Sequence, residues 1–356
     1  MIEKMDTEII EVHTDTENHV VETDALKRAG EILKNGGLVA FPTETVYGLG
    51  GDALNPEAAR KIYAAKGRPS DNPLIVHISS HEDLHKVAAA VPDSACRIAE
   101  HFWPGPLTMI LPKNDCIPEE TTGGLSTVAI REPDHPVALA LIRESGFIAA
   151  PSANASGRPS PTTAEHVKED LSGRIDMILD GGSVGIGVES TILDLTEEIP
   201  TILRPGFITS AELSEVIGEV RIDPGIIAED SAVRPKAPGM KYRHYAPKAE
   251  LILVSGARED VIEKINSLTK TALSEGQKAG IIATEETKED YPDGIVLSIG
   301  SRLREETIAQ HLFGILRRFD EMGVEIIYSE CFEEEGIGLA IMNRLRKAAG
   351  QRMIKV

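Results

Sequence analysis

Two segments of the chain carry cations and hydrogen-bond donors at close spacing. KGRPSDNPLIVHI (66–78) places Lys66 and Arg68 two residues apart, just before an apolar run that predicts a buried strand. APSANASGRPSPT (150–162) follows another apolar run and is dense in Ser, Asn and Gly. Fixed cations and clustered hydroxyl, amide and backbone N–H donors can hold a nucleoside triphosphate without a P-loop. Each segment alone is more typical of a helix end or a turn, so the prediction of a nucleotide site depends on the pair.

Further polar residues stand where other predicted strands end. PTETVYGLG (42–50) leaves the strand at 38–41 with the hydroxyls of Thr43 and Thr45, and its glycines allow a ligand close to the backbone. Arg131 closes STVAIR and Arg204 closes TILRP. Arginines at strand ends of α/β sheets commonly bind carboxylate or phosphate. These residues favour a ligand-binding edge that includes the two segments above.

Three other features are less specific. His77 ends a predicted strand and could face the core or a cleft; taken alone, a core histidine is favoured. Ser190 in VEST supplies a hydroxyl at a strand entrance. GGSVG (181–185) fits GxSxG, but a nucleophile elbow needs a helix after the turn, and IGVESTILDL leads into a strand. We therefore predict a glycine-rich loop beside a ligand. The sequence contains no GxxxxGK[ST], no HExxH and no kinase signature.

The composition limits the class of protein. A length of 356 residues predicts two domains, and the 41% hydrophobic and 26% charged residues are typical of a globular protein. A formal net charge of −20 and only 4% aromatic residues argue against tight direct binding of nucleic acid. The three cysteines form no zinc or disulfide pattern, no apolar run reaches 18 residues, and the N-terminus lacks an apolar signal core. We expect a cytoplasmic protein with no membrane partner.

Hydrophobic patterning predicts an α/β fold in two parts after an acidic N-terminal extension at 1–20, to which no element is assigned. Residues 21–218 predict a mixed twisted sheet with helices, including a helix capped by Asp24 and one begun by a capping box of Thr162 and Glu165. Prolines make 219–249 a linker. Residues 250–356 alternate regularly and predict a smaller parallel sheet of Rossmann-like type, without a glycine fingerprint for dinucleotides.

Seven motifs in this order resemble the YrdC-type domain: PTETVYGLG, KGRPSDNPL, FWPGPLT, STVAIREP, APSANASG, VESTI and ILRPG. With APGMKYRHYAP (237–247) and the C-terminal α/β part, the chain resembles the two-domain form of the L-threonylcarbamoyladenylate synthase family. The resemblance runs from about residue 20 to the end. It implies formation of threonylcarbamoyl-AMP and pyrophosphate from L-threonine, bicarbonate and ATP, for tRNA modification by a downstream threonylcarbamoyl transferase.

The resemblance also implies roles for individual residues. The catalytic set would be Lys66, Arg68, Ser152 and Asn154. ATP would be bound by Arg68, Asn72, Thr127, Asn154, Ser160, Arg204 and Tyr245. Threonine would be bound by Thr43, Thr45, His77, Arg131, Ser152 and Ser190, with Arg131 as the carboxylate clamp and either Thr43 or Thr45 reading the substrate. Mg²⁺ would be held mainly by ATP, because no cluster of carboxylates marks a metal site.

Other functions fit the sequence less well. A carbamoyl-transfer module of a hydrogenase-maturation protein would need zinc-finger cysteine pairs, and an RNA-binding module would need a basic cleft. A serine hydrolase would depend on Ser183 alone. YRHYAP (242–247) is aromatic and cationic, which is unusual for a solvated tether. We predict that this segment docks as a lid, with Tyr245 reaching the nucleotide.

Overall fold

The computed structural model describes residues 6–17, 19–226 and 244–356, and these form two compact units. The first unit contains the described residues up to Ser156, then Ser160–Gly185 and 189–226. The second contains Gly157–Pro159, Ile186–Val188 and 244–356. Most of the predicted linker, and the first two residues of the segment predicted to act as a lid (242–247), lie at 227–243, outside the described residues.

The first unit is a mixed α/β structure. Its strands are β1 (Glu8–Glu11), β2 (Val39–Phe41), β3 (Gly48–Asp52), β4 (Ile75–His77), β5 (Leu107–Pro112), β6 (Thr127–Arg131), β7 (Ile148–Ala150), β8 (Met177–Asp180), β9 (Thr191–Asp194), β10 (Thr201–Arg204) and β11 (Arg221–Ile222). Its α-helices are α1 (Thr23–Lys34), α2 (Pro56–Lys66), α3 (Leu84–Val87), α4 (Asp93–Phe102), α5 (Glu119–Thr122), α6 (Pro136–Ser145), α7 (Ala164–Leu171) and α8 (Ser210–Ile217).

The eleven strands form one sheet in the order β1-β8-β2-β3-β7-β4-β6-β5-β9-β10-β11. Pairing is mixed: β4 runs parallel to β6 and antiparallel to β7, whereas β5 runs antiparallel to β6 and parallel to β9. Side chains alternate between the two faces, as pleated strands require. Val39 and Phe41 pack in a core with α1 and α6, whereas Ala40 packs in the larger core with α2, α4 and α7. Both faces of the sheet are therefore covered. The parallel and antiparallel pairings together confirm the predicted mixed sheet.

Helix α2 illustrates how local sequence sets an element next to the site. The Asn55 side chain accepts a hydrogen bond from the Glu57 backbone N–H, and Pro56 occupies the first turn. The helix ends at Lys66, since Gly67 adopts a left-handed conformation with φ of 64°. Lys66 is thus the last residue of a helix whose two ends are both fixed by sequence.

Two predicted helix caps are wrong. Asp24 lies in the first turn of α1, where its charge favours the helix dipole, and Glu22 occupies the cap position without a side-chain bond. Thr163 caps α7 by accepting the backbone N–H of His166. Neighbouring hydroxyl and carboxylate residues offered alternative caps at both places, and the helix start selects one of them. The sequence also gave no sign of β1, which pairs in parallel with β8.

The second unit has a smaller, all-parallel sheet, as predicted. Its elements are β12 (Glu250–Ser255), α9 (Arg258–Ser274), β13 (Ala279–Ala283), β14 (Ile295–Ser298), α10 (Glu305–Glu321), β15 (Ile326–Glu330), α11 (Gly336–Ala349) and β16 (Met353–Lys355). The strand order is β14-β13-β15-β12-β16, and every pairing is parallel. A core that includes Val261 and Ile265 of α9 packs against Ile281 and Tyr328 of the sheet. Within the described ranges, no helix is both long enough and apolar enough to cross a bilayer.

Candidate active site

The Lys66 ammonium lies against the loop that follows β7. It donates hydrogen bonds to the backbone carbonyls of Ser152 and Asn154, the latter at 2.5 Å, and lies 3.3 Å from the Asn154 Oδ1 atom. The Ser152 hydroxyl donates to the same Oδ1 atom at 2.6 Å. Lys66 is only 3% exposed, so its charge is held in a partly dry environment. The structure therefore brings together three of the four predicted catalytic side chains.

Arg68, the fourth, projects from the turn after α2. Its Nε and Nη2 atoms donate to the carbonyl oxygens of Asn72 and Pro73, at 3.3 and 3.1 Å. Asn72 is 2% exposed, and its Oδ1 atom accepts no hydrogen bond from the described part of the chain. The guanidinium thus fixes the backbone of Asn72, and the Asn72 side chain keeps a buried acceptor for another donor.

The loop after β2 and the end of β6 form a second cluster. The Arg131 Nη2 atom donates to the Thr45 hydroxyl at 2.9 Å, and the Thr43 hydroxyl lies 2.9 Å from that of Thr45. Thr43 donates its only hydroxyl proton to the Val46 carbonyl at 2.6 Å, so Thr45 must be the donor between the two threonines. The chain of donors runs from Arg131 through Thr45 to Thr43, and Thr45 is the threonine in direct contact with the guanidinium.

Glu44 belongs to the same cluster and was missed by the sequence analysis. Its Oε1 atom lies 2.7 Å from the Arg131 Nη2 atom, and its side chain is 12% exposed. Apart from this ion pair, both carboxylate oxygens are buried and accept no hydrogen bond from the described residues. The position between the two threonines of PTETV was the available signal, but glutamate in a turn is more often solvated.

His77 is a buried, neutral histidine. It ends β4 directly opposite Arg131 in the parallel pairing with β6. Burial, and then the neighbouring Arg131 charge, lower the pKa of His77 to about 3. The Nδ1 atom lies 3.0 Å from the Ile75 carbonyl, so Nδ1 carries the proton and Nε2 is an acceptor. His77 is therefore buried like a core residue, and the strand register places it beside Arg131 in the second cluster.

Ser190 and Arg204 form a third cluster, next to β5. The Arg204 Nε and Nη2 atoms donate to the Ser190 carbonyl and hydroxyl oxygens, each at 3.0 Å, and the Ser190 hydroxyl lies 2.7 Å from that of Thr108. The turn after Arg204 needs a glycine, because a Cβ on Gly206 would lie 2.3 Å from the Thr191 backbone nitrogen. Met109, the neighbour of Thr108, is paired with Ile130, the neighbour of Arg131. The third cluster therefore lies one strand away from the second.

Three predicted nucleotide contacts lie elsewhere in their units. Thr127 begins β6, four residues before Arg131, which closes the same strand. The Ser160 hydroxyl is buried and donates to the Glu189 carboxylate. Tyr245 belongs to the second unit, where its ring lies 5.1 Å from that of Phe313. Among the described residues of the first unit, Thr127 and Ser160 are thus not members of the three clusters.

The glycine-rich segment at 181–185 is a loop without a following helix, as predicted. Ser183 is exposed, and the carbonyl of Gly182 accepts a hydrogen bond from the Tyr47 hydroxyl at 2.7 Å. The loop therefore anchors the turn that carries Thr43 and Thr45. In the described residues, no three His, Cys, Asp or Glu side chains lie together so that they could hold a metal ion.

Comparisons with known proteins identify the family of this chain. Residues 31–206 match the family Sua5_yciO_yrdC, described as "Telomere recombination", and residues 208–350 match the family described as "Threonylcarbamoyl-AMP synthase, C-terminal domain". Threonylcarbamoyl-AMP synthase of Pyrococcus abyssi is 51% identical over 94% of this chain and 97% of its own length. The Bacillus subtilis enzyme of the same name is 52% identical over 93% of this chain and 94% of its own.

A solved structure extends the similarity to the whole fold. The crystal structure of P. abyssi Sua5 complexed with L-threonine matches with a TM-score of 0.92 and 50% identity, over 98% of this chain and all of that one. Such identity over nearly the full length of both chains covers the catalytic and C-terminal parts alike. The chain belongs to the two-domain threonylcarbamoyl-AMP synthase family.

Proposed function

We propose that this protein joins L-threonine, bicarbonate and ATP into L-threonylcarbamoyladenylate, as a nucleotidyltransferase that releases pyrophosphate. The observation that carries the proposal is the contact of the Lys66 ammonium with the Ser152–Asn154 loop. It unites the cationic and hydroxyl-rich segments that the sequence placed more than eighty residues apart. The names of the full-length relatives, and the L-threonine in the structure of one of them, support the same substrates.

The chemistry requires positive charge around the α-phosphate. The nitrogen of threonine first loses a proton and attacks the carbon of bicarbonate, a C–O bond breaks and water leaves, and a carbamate is formed. An oxygen of that carbamate then attacks the α-phosphorus while the bond to pyrophosphate breaks. Negative charge then builds up on the phosphate oxygens, and preorganised cations lower the barrier. We assign this role to Lys66 and Arg68, with the Ser152 hydroxyl and the Asn154 amide orienting the phosphate.

Threonine itself would occupy the second cluster. The buried guanidinium of Arg131 binds its carboxylate, because the planar fork matches two carboxylate oxygens. His77 presents a neutral Nε2 acceptor, and Thr45 and Ser190 present hydroxyls for the remaining polar groups. Thr45 is the threonine whose hydroxyl contacts the Arg131 guanidinium, which favours it over Thr43 as the one that contacts the substrate.

The nucleotide contacts remain proposals for Asn72, Thr127, Ser160, Arg204 and Tyr245. Asn72 has the strongest support, since its buried Oδ1 atom suits a donor such as an adenine amino group. Mg²⁺ would enter with ATP and neutralise phosphate charge. The hydroxyl and amide oxygens of Ser152 and Asn154 are hard donors that could reach such an ion, and the bulk of its ligands would be phosphate oxygens and water.

The product is an activated carbamoyl adenylate that hydrolyses readily, so it must pass to an acceptor. We propose a cytoplasmic tRNA threonylcarbamoyl transferase as the downstream partner. Pyrophosphate release by the purified protein tests the central step. Release that requires ATP, threonine and bicarbonate together is expected. Release that is equally fast without threonine or without bicarbonate would reject the proposed reaction.

A further inference from the structure

The second cluster contains buried charged atoms whose hydrogen-bonding capacity is unused. Both oxygens of Glu44 are shielded from solvent; Oε1 is ion-paired with the Arg131 Nη2 atom at 2.7 Å, and neither oxygen accepts a hydrogen bond from the described residues. In the same cluster the Nε atom of Arg131 is buried and donates none. A buried carboxylate or guanidinium with unused capacity is costly, so such atoms commonly mark the place of a ligand. The cluster therefore offers one ligand a negatively charged hydrogen-bond acceptor, Glu44, and a positively charged donor, Arg131.

The two charges are also close enough for one small zwitterion to contact both. The Glu44 Oε1 and Arg131 Nη2 atoms are 2.7 Å apart. In an α-amino acid the ammonium nitrogen and the carboxylate carbon are about 2.5 Å apart, because a single Cα joins them. A ligand of this kind can therefore place its carboxylate on the free edge of Arg131 while its ammonium group lies on Glu44.

We propose that Glu44 binds the α-ammonium group of the threonine substrate and so selects amino acids over hydroxy acids that lack the amine. The inference rests on the proposed function, since it concerns the same substrate. Arg131 alone would accept any small carboxylate. Glu44 adds a second charged contact at a fixed position, and this contact orients the nitrogen that must later receive the carboxylate.

Arg131, Asp134 and His135 are the charged or titratable groups near Glu44. Arg131 faces it from β6, and the loop that follows β6 brings Asp134 and His135 within its electrostatic reach. Burial and then the Glu44 charge raise the pKa of Asp134. The pKa of His135 is lowered by burial, although Glu44 acts in the opposite direction. Arg131 is the one permanent cation among these neighbours, and a bound ammonium group would add a second.

The alternative is that Glu44 only holds Arg131 in place, and a pair of ligands separates the two roles. We would measure binding of L-threonine and of (R)-3-hydroxybutanoate, which keeps the carboxylate and hydroxyl but lacks the amine, by titration calorimetry. The proteins are the wild type, Glu44→Gln and the exposed control Glu215→Gln on α8. Glu44→Gln keeps the size of the side chain and removes only the charge. Circular dichroism and ATP binding check that each variant is folded.

We expect Glu44→Gln to weaken threonine binding by on the order of tenfold to a hundredfold, the value of a lost charge-assisted contact. Binding of (R)-3-hydroxybutanoate should change by less than about threefold, and Glu215→Gln should match the wild type. Equal losses for both ligands would mean that Glu44 only positions Arg131, and unchanged threonine binding would also overturn the proposal. Absence of threonine binding by the wild type would instead reject the proposed function.

If Glu44→Gln does not fold, Glu44→Asp serves as the second variant. It keeps the charge but withdraws it by one methylene. The expected outcome is again a selective loss of threonine affinity, smaller than a hundredfold. Losses of equal size for both ligands would overturn the proposal in this variant too.

Discussion

At the scale of single residues, Lys66 is the side chain whose surroundings say most about its role. Its ammonium group contacts two backbone carbonyls and one amide oxygen of the Ser152–Asn154 loop. These three oxygens are neutral acceptors, which do not offset the positive charge that the lysine can offer to a phosphate. The same bonds hold the loop that carries the Ser152 hydroxyl. Lys66 therefore supplies a positive charge to the site and also fixes the position of this loop.

We predict that Lys66→Ala lowers turnover in the pyrophosphate assay by roughly a hundredfold or more, because a lost charge-stabilising group costs about 3 kcal/mol of transition-state stabilisation. Lys168→Ala is the matched control, since Lys168 is an exposed residue of α7 that pairs with Glu165. It should leave turnover unchanged. A folded Lys66→Ala protein with near-normal turnover would remove Lys66 from the mechanism.

Arg131 provides a prediction about substrate discrimination. Arg131→Lys should raise the threonine KM at least tenfold while the ATP KM changes little, because lysine cannot reproduce the bidentate fork. Steady-state kinetics with each substrate varied in turn measure the two constants. If both constants rise by the same factor, Arg131 serves the nucleotide and the assignment of the threonine pocket is wrong.

At the scale of elements, the short central strands bring the site together. β4, β6 and β5 are neighbours, and His77 and Arg131 are paired at the ends of the first two. A strand buried on both sides keeps its last side chain dry, which explains the neutral state of His77. The burial of the strand therefore determines the protonation state of His77.

This burial predicts a pH dependence of stability. The pKa of His77 is about 3 in the folded chain and near 6.5 when unfolded, so the unfolded state binds the extra proton between these values. The stabilising effect of the neutral ring is complete above about pH 6.5 and is lost as the pH falls toward 3, with a limit on the order of 5 kcal/mol. Stability should therefore fall on acidification through this window.

Urea unfolding between about pH 7 and pH 5 measures the slope. His77→Gln should make the fall in unfolding free energy distinctly shallower, because glutamine does not titrate. His85→Gln, which removes an exposed histidine, should leave the slope of the wild type. Identical slopes for His77→Gln and the wild type would show that His77 is protonated at its ordinary pKa.

At the scale of the whole molecule, the chain consists of two units with separate sheets. The second has its own core, in which α9 packs on an all-parallel sheet. We predict that residues 244–356 fold when expressed alone and unfold cooperatively on heating, as followed by circular dichroism. Ile281→Asp, which places a charge in that core, should abolish the transition. A fragment that is unfolded although the full chain is folded would show that its sheet depends on the rest of the protein.

The sequence alone determined the secondary structure of most of the chain, because apolar periodicity and the residues at helix ends act locally. β2 ends at Phe41 and β6 ends at Arg131, as predicted from the residues around PTETVYGLG and STVAIR. Elements with few apolar residues were missed: β1 is acidic, and β3 (GLGGD) contains three glycines. Their strand conformation comes from pairing with distant strands, which no local signal contains.

The sequence also supplied the residue types of the site and, through its ordered motifs, the family. Only the tertiary structure decided which of these residues meet. The contact of Lys66 with Ser152 and Asn154, and that of Arg131 with Thr45, join positions more than eighty residues apart. Glu44 could not be identified from sequence, because a glutamate in a turn is ordinarily solvated. It becomes informative once the fold buries both of its oxygens beside Arg131, since burial turns an ordinary surface charge into one that needs a partner.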